Sequence, residues 1–227
     1  MTDYVVPAFP VTTVPVEGGG AFPVRRVFCV GRNYADHALE MGSDPTREPP
    51  FFFSKPADAV TTAAEIPFDP ISKKFEFEGE LVVAIGKGGS NIPSSQALDH
   101  VYGYSVGCDL TRRDMQGEAK KTGRPWDMSK GFDNSAPIAP LQPAAKIGHP
   151  AEGTLTLSVN GTVKQKGDLS QMIWPVQDVV AYLSTLVALA PGDLIYTGTP
   201  SGVGPLVRGD KVEIACDGVT KFGFTLV

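Results

Sequence analysis

Phe75-Glu76-Phe77-Glu78-Gly79-Glu80-Leu81-Val82-Val83-Ala84-Ile85-Gly86 begins as strict alternation and ends as an unbroken apolar run. On a strand, side chains two apart share a face, so the alternation predicts that the carboxylates at 76, 78 and 80 point the same way. The run Leu81–Ile85 reads as a strand buried on both sides, which carries those carboxylates to the edge of the core. Three like charges on one face repel unless something positive lies among them, and a hard divalent cation held by carboxylate oxygens meets that need. The plainer alternative is a solvated strand face. Either Glu76 and Glu78 or Glu78 and Glu80 could supply the ligand pair; the second register is preferred, because the buried run starts directly after Glu80.

Composition frames the rest. With 227 residues, 42% hydrophobic and 20% charged, the chain can bury a sizeable core as an ordinary soluble protein. Its formal net charge of -5 argues against nucleic acid or an anionic membrane as the main partner. The 25 glycines and 20 prolines are spread along the chain and predict many short strands and turns rather than long helices. Cys29, Cys108 and Cys216 are odd in number and sit in or beside apolar runs, so buried free thiols are expected rather than disulfides or zinc. No leader-like or membrane-spanning run is present, and the expected location is the cytoplasm.

Around the acidic strand lie other chemistry-bearing stretches. Residues 1–25, rich in Pro and Gly, read as an extended arm, and residues 26–227 as one domain. The strand Arg26–Val30 leads to a short helix predicted from Tyr34 to a stop at Gly42. His37 and Glu40, three apart, share a face of it, and a carboxylate beside an imidazole orients the ring for taking a proton from water. The alternative is an inert surface pair.

A strand ending at Asp109 precedes Thr111-Arg112-Arg113-Asp114-Met115-Gln116. On a helix starting there, Arg113 and Gln116 fall on the face of Asp109 and suit an anionic carboxylate substrate; otherwise Asp109 is the N-cap of a surface helix. Residues 117–129 read as a polar loop, Ser135–Leu141 as a Pro-broken edge strand, and Asn160-Gly161 as a hairpin turn. A helix is predicted from Val176, with Pro175 in its first turn and Pro191-Gly192 as its stop. The loop Thr197–Pro205 offers backbone N–H groups and hydroxyls to an anion.

Gly31-Arg32-Asn33-Tyr34 with His37 and Glu40, Glu78-Gly79-Glu80, Asp109 with Arg113 and Gln116, Lys130-Gly131-Phe132-Asp133, and Thr197-Gly198-Thr199-Pro200 occur in that order. In these motifs, over about residues 25–225, the chain resembles the fumarylacetoacetate hydrolase (FAH) family. Residues 47–58 and 123–127 are most similar to its bacterial fumarylpyruvate hydrolase branch. Glu76 and Phe77 stand where such members often carry histidine, and the Glu-Gly-Glu form is shared with isomerase and decarboxylase relatives.

The resemblance implies an α+β, β-rich fold: a mixed β-sandwich roll with a few short helices, assembled as a homodimer. It implies Glu78, Glu80 and Asp109 as ligands of one divalent cation per subunit, Mg²⁺ or Mn²⁺ with Ca²⁺ also admissible. His37 and Glu40 would activate water. Lys130, Arg32, Arg113, Gln116 and Thr199 would hold a small 2-oxo acid substrate, Lys130 also stabilising the oxyanion. The implied reaction is hydrolysis of the carbon–carbon bond of a 3-acylpyruvate, with fumarylpyruvate cleaved to fumarate and pyruvate in aromatic catabolism. The alternatives are oxaloacetate decarboxylation or acylpyruvase activity, isomerisation of 2-hydroxyhepta-2,4-diene-1,7-dioate, and a non-catalytic 2-oxo acid binding module.

Overall fold

Gly79–Ile85 is a strand, and every residue in it is buried. In the computed structural model, which describes residues 4–40 and 49–227, it lies third in a six-stranded sheet. The strand order is Gln142–Pro143, Val101–Cys108, Gly79–Ile85, Asp193–Tyr196, Arg26–Val30 and Phe52–Lys55. Only Asp193–Tyr196 and Arg26–Val30 pair in parallel; the other neighbours are antiparallel. Leu81, Val83 and Ile85 enter the larger of two core clusters, and Val82 and Ala84 the smaller. That two-sided burial is why the run lacks polar alternation.

The larger cluster fills the space against a five-stranded sheet of order Thr162–Asp168, Thr154–Val159, Lys211–Cys216, Thr220–Leu226 and Glu65–Ile66. Leu155, Leu157, Val212, Ile214, Phe224 and Leu226 face inward from it. On the other face of the six-stranded sheet, the hairpin Thr13–Pro15/Ala21–Pro23 adds Val14 and Phe22 to the smaller cluster. The result is the expected β-rich α+β architecture of layered sheets with short helices. The turn at Asn160-Gly161 forms as expected, with φ of 52° and 77°, the positive values that a tight hairpin connection needs.

Several local expectations need correction. Asp109 does not cap a helix. Thr111 and Arg112 first pair with Glu76 and Phe75 in a separate three-stranded sheet, so their backbone groups are taken before a helix can begin. The helix therefore runs Arg113–Thr122. It continues into the stretch expected to be loop until Gly123 ends it in the left-handed conformation, φ 65°. A second short helix, Asp127–Lys130, follows. Of Ser135–Leu141, only Ala136–Pro137 forms a strand, parallel to Val60–Thr61. Pro175 is the N-cap of helix Val176–Leu186 rather than part of its first turn. The first helix spans Ala35–Glu40; its predicted stop at Gly42 lies outside the described residues.

Leu81 has no exposed surface and sits in the centre of the larger cluster. Leu81→Ala should lower unfolding stability by about 2–5 kcal/mol, read as a fall in the urea midpoint at unchanged m-value.

Candidate metal centre and active site

The strand break between Phe77 and Gly79 places Glu78 at the head of the central strand, and Asp109 follows directly on the neighbouring strand. The Asp109 N–H donates to the Glu78 carbonyl at 2.8 Å, which locks the two side by side. Glu78, Glu80 and Asp109 are all buried, and each presents a carboxylate oxygen within 4.8 Å of the others. Glu76 is also buried but turns away: its oxygens meet Arg113 Nε at 2.6 Å and Lys74 Nζ at 3.3 Å. The geometry thus favours the 78/80 register, and none of the three carboxylates lies on a solvated face.

Three buried cations stand against these four buried carboxylates. Lys130 Nζ donates to Glu78 Oε2, Asp109 Oδ2 and Thr111 Oγ1, each at 2.7 Å. Arg113 bridges Glu76 and Glu78 and donates through Nη1 to Gln116 Oε1 at 2.8 Å. Lys55 Nζ lies 2.7 Å from Asp109 Oδ1. That contact is one of charge rather than of hydrogen-bond direction, because the ammonium's hydrogen bonds go to the carbonyls of Leu110 and Lys130 and Oδ1 accepts none.

Burial alone would raise Glu78, but the ammonium of Lys130 and the guanidinium of Arg113 hold it well below the usual carboxylate range. Glu80 moves the opposite way. Burial, then the charges of Asp109 and Glu78, push it well above its ordinary value, opposed mainly by the Gly198 N–H at 2.7 Å. Gly198 has φ +95°, and a Cβ there would lie 2.7 Å from Asn33 Cβ, so only glycine aims this N–H comfortably at Glu80.

A carboxylate left under-compensated beside an oxygen that accepts no hydrogen bond is an arrangement that fits a hard divalent cation. Glu78, Glu80 and Asp109 are the residues that could hold it.

Beside this cluster, His37 is buried, with its Nδ1 3.1 Å from Glu40 Oε2. Glu40 is in turn fixed by the Gly202 N–H, 3.2 Å from each carboxylate oxygen. Protonated, the imidazole is near enough to help lower Glu78. Thr199 is buried and donates to the Gly79 carbonyl at 2.8 Å. Arg113, Gln116, Lys130, Thr199 and the His37–Glu40 pair therefore gather around the carboxylates. Arg32 stands further out, half-buried, with its guanidinium over the ring of Phe51 at 5.3 Å.

The family profile described as fumarylacetoacetate (FAA) hydrolase C-terminal matches residues 26–227. This chain belongs to the fumarylacetoacetate hydrolase family. As a family member it is similar in structure to the fumarylpyruvate hydrolase of Pseudomonas aeruginosa, solved with Mn²⁺ and pyruvate: 48% identity, TM-score 0.97, and 99% of each chain covered. In sequence it is 43% identical over 201 residues to the oxaloacetate tautomerase of Escherichia coli, covering 87% of this chain and 90% of that one. It is 42% identical over 208 residues to the mitochondrial oxaloacetate decarboxylase of Dictyostelium discoideum, covering 89% and 94%. Membership in this family makes the chain one of a family of enzymes, and its buried acidic triad fits a divalent metal.

Two supporting residues carried no sequence signal of their own. Lys55 ends a strand with exposed flanks, and its burial against Asp109 comes only from tertiary packing. Gln165 lies on a polar hairpin strand, yet its side chain accepts from the Gly79 N–H at 2.9 Å and donates to Thr199 Oγ1 at 2.8 Å. It ties the residue between the two glutamates to the Thr199 loop. Its inward alternation with Gly167 was the one available clue.

Mn²⁺ at about 100 times its dissociation constant should stabilise the protein by about 2.7 kcal/mol, a rise of about 5–10 °C in Tm. Glu80→Gln should erase that rise while leaving the metal-free Tm unchanged or higher, since it removes the least compensated buried charge. Glu76→Gln should lower the metal-free Tm yet keep the rise. Differential scanning calorimetry with and without Mn²⁺ checks both.

Proposed function

We propose that the protein is a metal-dependent hydrolase that cleaves the carbon–carbon bond of a 3-acylpyruvate, with fumarylpyruvate as its substrate and Mg²⁺ or Mn²⁺ as its ion. The observation that carries this reading is the buried imidazole of His37, oriented by the more exposed Glu40, beside Glu78, Glu80 and Asp109. A site that only redistributed protons or released carbon dioxide would need no oriented base for water. The 48% identity to a fumarylpyruvate hydrolase over nearly the whole chain supports the same substrate.

A divalent cation held by Glu78, Glu80 and Asp109 supplies concentrated positive charge that polarises the oxygens of the 2-oxo acid end. Arg113 is fixed by Glu76 and Glu78 and has N–H donors to spare, so it can clamp the adjacent carboxylate. Glu40, bound to Nδ1, leaves Nε2 of His37 to take a proton from water. The hydroxide adds to the distal ketone carbon. Gln116 spends its carbonyl on Arg113, so its amide N–H can donate to the oxyanion that forms.

Lys130 delivers its charge through Glu78, Asp109 and Thr111, and meets the oxyanion directly only by releasing one of those three bonds. The carbon–carbon bond then breaks, its electron pair stays with the pyruvate carbon, and His37 returns the proton there. Water and fumarylpyruvate become fumarate and pyruvate, with all atoms accounted for.

A second reading, oxaloacetate tautomerisation or decarboxylation, is favoured by the 42–43% identical relatives. Loss of fumarylpyruvate absorbance with equimolar pyruvate, abolished by chelator and restored by Mn²⁺, is the expected outcome; consumption of oxaloacetate alone would replace hydrolysis by the second reading. His37→Ala should lower kcat on fumarylpyruvate by about 10²–10⁴-fold. The Mn²⁺ dissociation constant, measured by titration calorimetry, should stay within about threefold, because His37 is not a ligand.

A further inference from the structure

The helix that brings Arg113 and Gln116 to the metal centre continues for two further turns, to Thr122. Lys120 lies seven residues beyond Arg113, so it returns to nearly the same face, displaced by about 10 Å along the axis. Its ammonium sits over the ring of Trp126, 5.1 Å from the centroid. Trp126 meets Phe51 edge-on, with centroids 5.6 Å apart and planes at 82°. On the ring of Phe51 lies the guanidinium of Arg32.

The two cations are thus presented by one aromatic pair. Phe51 is itself packed flat on Gly31, where a Cβ would come within 2.0 Å of the ring, so Gly31 lets the Phe51–Arg32 unit sit this close. A third ring, Phe53, joins Trp126 at 5.7 Å to Lys130 at 4.9 Å, which connects the unit to the metal centre.

Charge makes the arrangement informative. Arg113, Lys130 and Lys55 each have a carboxylate partner, whereas Arg32 and Lys120 form no ion pair among the described residues. Although Lys120 is exposed overall, partial burial, then the positive charges of Arg113 and Arg32, push its ammonium below the usual range against the pull of Glu78. Like charges brought near one another are unfavourable unless a ligand supplies an anion between them, and the anion that reaches Lys120, Glu78, is already paired with Arg113 and Lys130.

We propose that Lys120 and Arg32, mounted on the Phe51–Trp126 pair, form a second anion subsite that takes the distal carboxylate of a 2-oxo dicarboxylate whose oxo-acid end lies at Glu78, Glu80 and Asp109. This rests on the 2-oxo acid reading above and adds the feature that selects substrates. The helix spacing sets the distance between the two anionic ends, and the aromatic pair provides an apolar wall for the carbon chain between them. A monocarboxylic acylpyruvate leaves the outer cations unpaired, so the subsite discriminates by charge as well as length.

The test uses two non-hydrolysable ligands of equal length, 2-oxoheptanedioate and 2-oxoheptanoate, titrated calorimetrically into the Mn²⁺-loaded protein. The unmodified protein should bind the dicarboxylate about tenfold or more tightly than the monocarboxylate. Lys120→Ala should reduce that preference about tenfold, and Lys120→Arg should restore most of it. Equal affinities in the unmodified protein, or a preference untouched by Lys120→Ala, would overturn the subsite. If the preference appears but fumarylpyruvate is not cleaved, the hydrolase reading fails and the subsite stands. If neither ligand binds, the 2-oxo acid reading falls and the subsite with it.

Discussion

Four buried carboxylates against three buried cations is the constraint around which this structure is arranged. Glu76, Glu78, Glu80 and Asp109 enter the protein on two adjacent strands and their approach, while Lys55, Arg113 and Lys130 arrive from three other segments to meet them. Removing charges from water costs several kcal/mol each unless every one is matched. The imbalance concentrates at Glu80, whose acid form burial favours. Among buried groups the cations are one fewer than the carboxylates, since Lys74 reaches Glu76 only from the exposed side, and a hard cation is a natural complement at Glu80.

The surrounding framework serves the same end. Burial of the central strand on both faces leaves its first residues no freedom of register, because a one-residue slip would drive Glu80 into an apolar cluster. Gly198 aims a backbone donor at Glu80, and Gln165 reaches across from the second sheet to hold Gly79 and Thr199 together. The base pair of the site, His37 and Glu40, comes instead from a six-residue helix. The Gly202 N–H holds Glu40 at its end, and Asn33, bonded to Trp174 and Thr197, holds the chain just before its start.

How far this was legible in the sequence varies with the physics behind each residue. The buried run after Glu80 and the hairpin at Asn160-Gly161 are local patterns, and the structure follows them; the shared face expected of 76, 78 and 80 holds for Glu78 and Glu80 only, because the strand breaks between Phe77 and Gly79. Arg113 and Gln116 were placed beside Asp109 by assuming that a helix starts there. Instead, after a two-residue strand that pairs with Glu76 and Phe75, Arg113 meets Glu76 and Glu78, and Gln116 meets Arg113. Lys55 and Gln165 could not be found locally, since what gives them a role is a partner more than fifty residues away in sequence. Glu76 was ambiguous for a related reason: whether it ligates or pairs depends on where Arg113 lies.

The same carboxylate cluster could serve several reactions of 2-oxo acids; what separates the proposed one from the rest is attack of water on the distal ketone carbon. Turnover of fumarylpyruvate in oxygen-18 water tests it most directly, with mass analysis of the products. Hydrolysis predicts one labelled oxygen per molecule of fumarate formed, and none gained by exchange when fumarate alone is incubated with the enzyme. Consumption of substrate without label in fumarate would contradict the account.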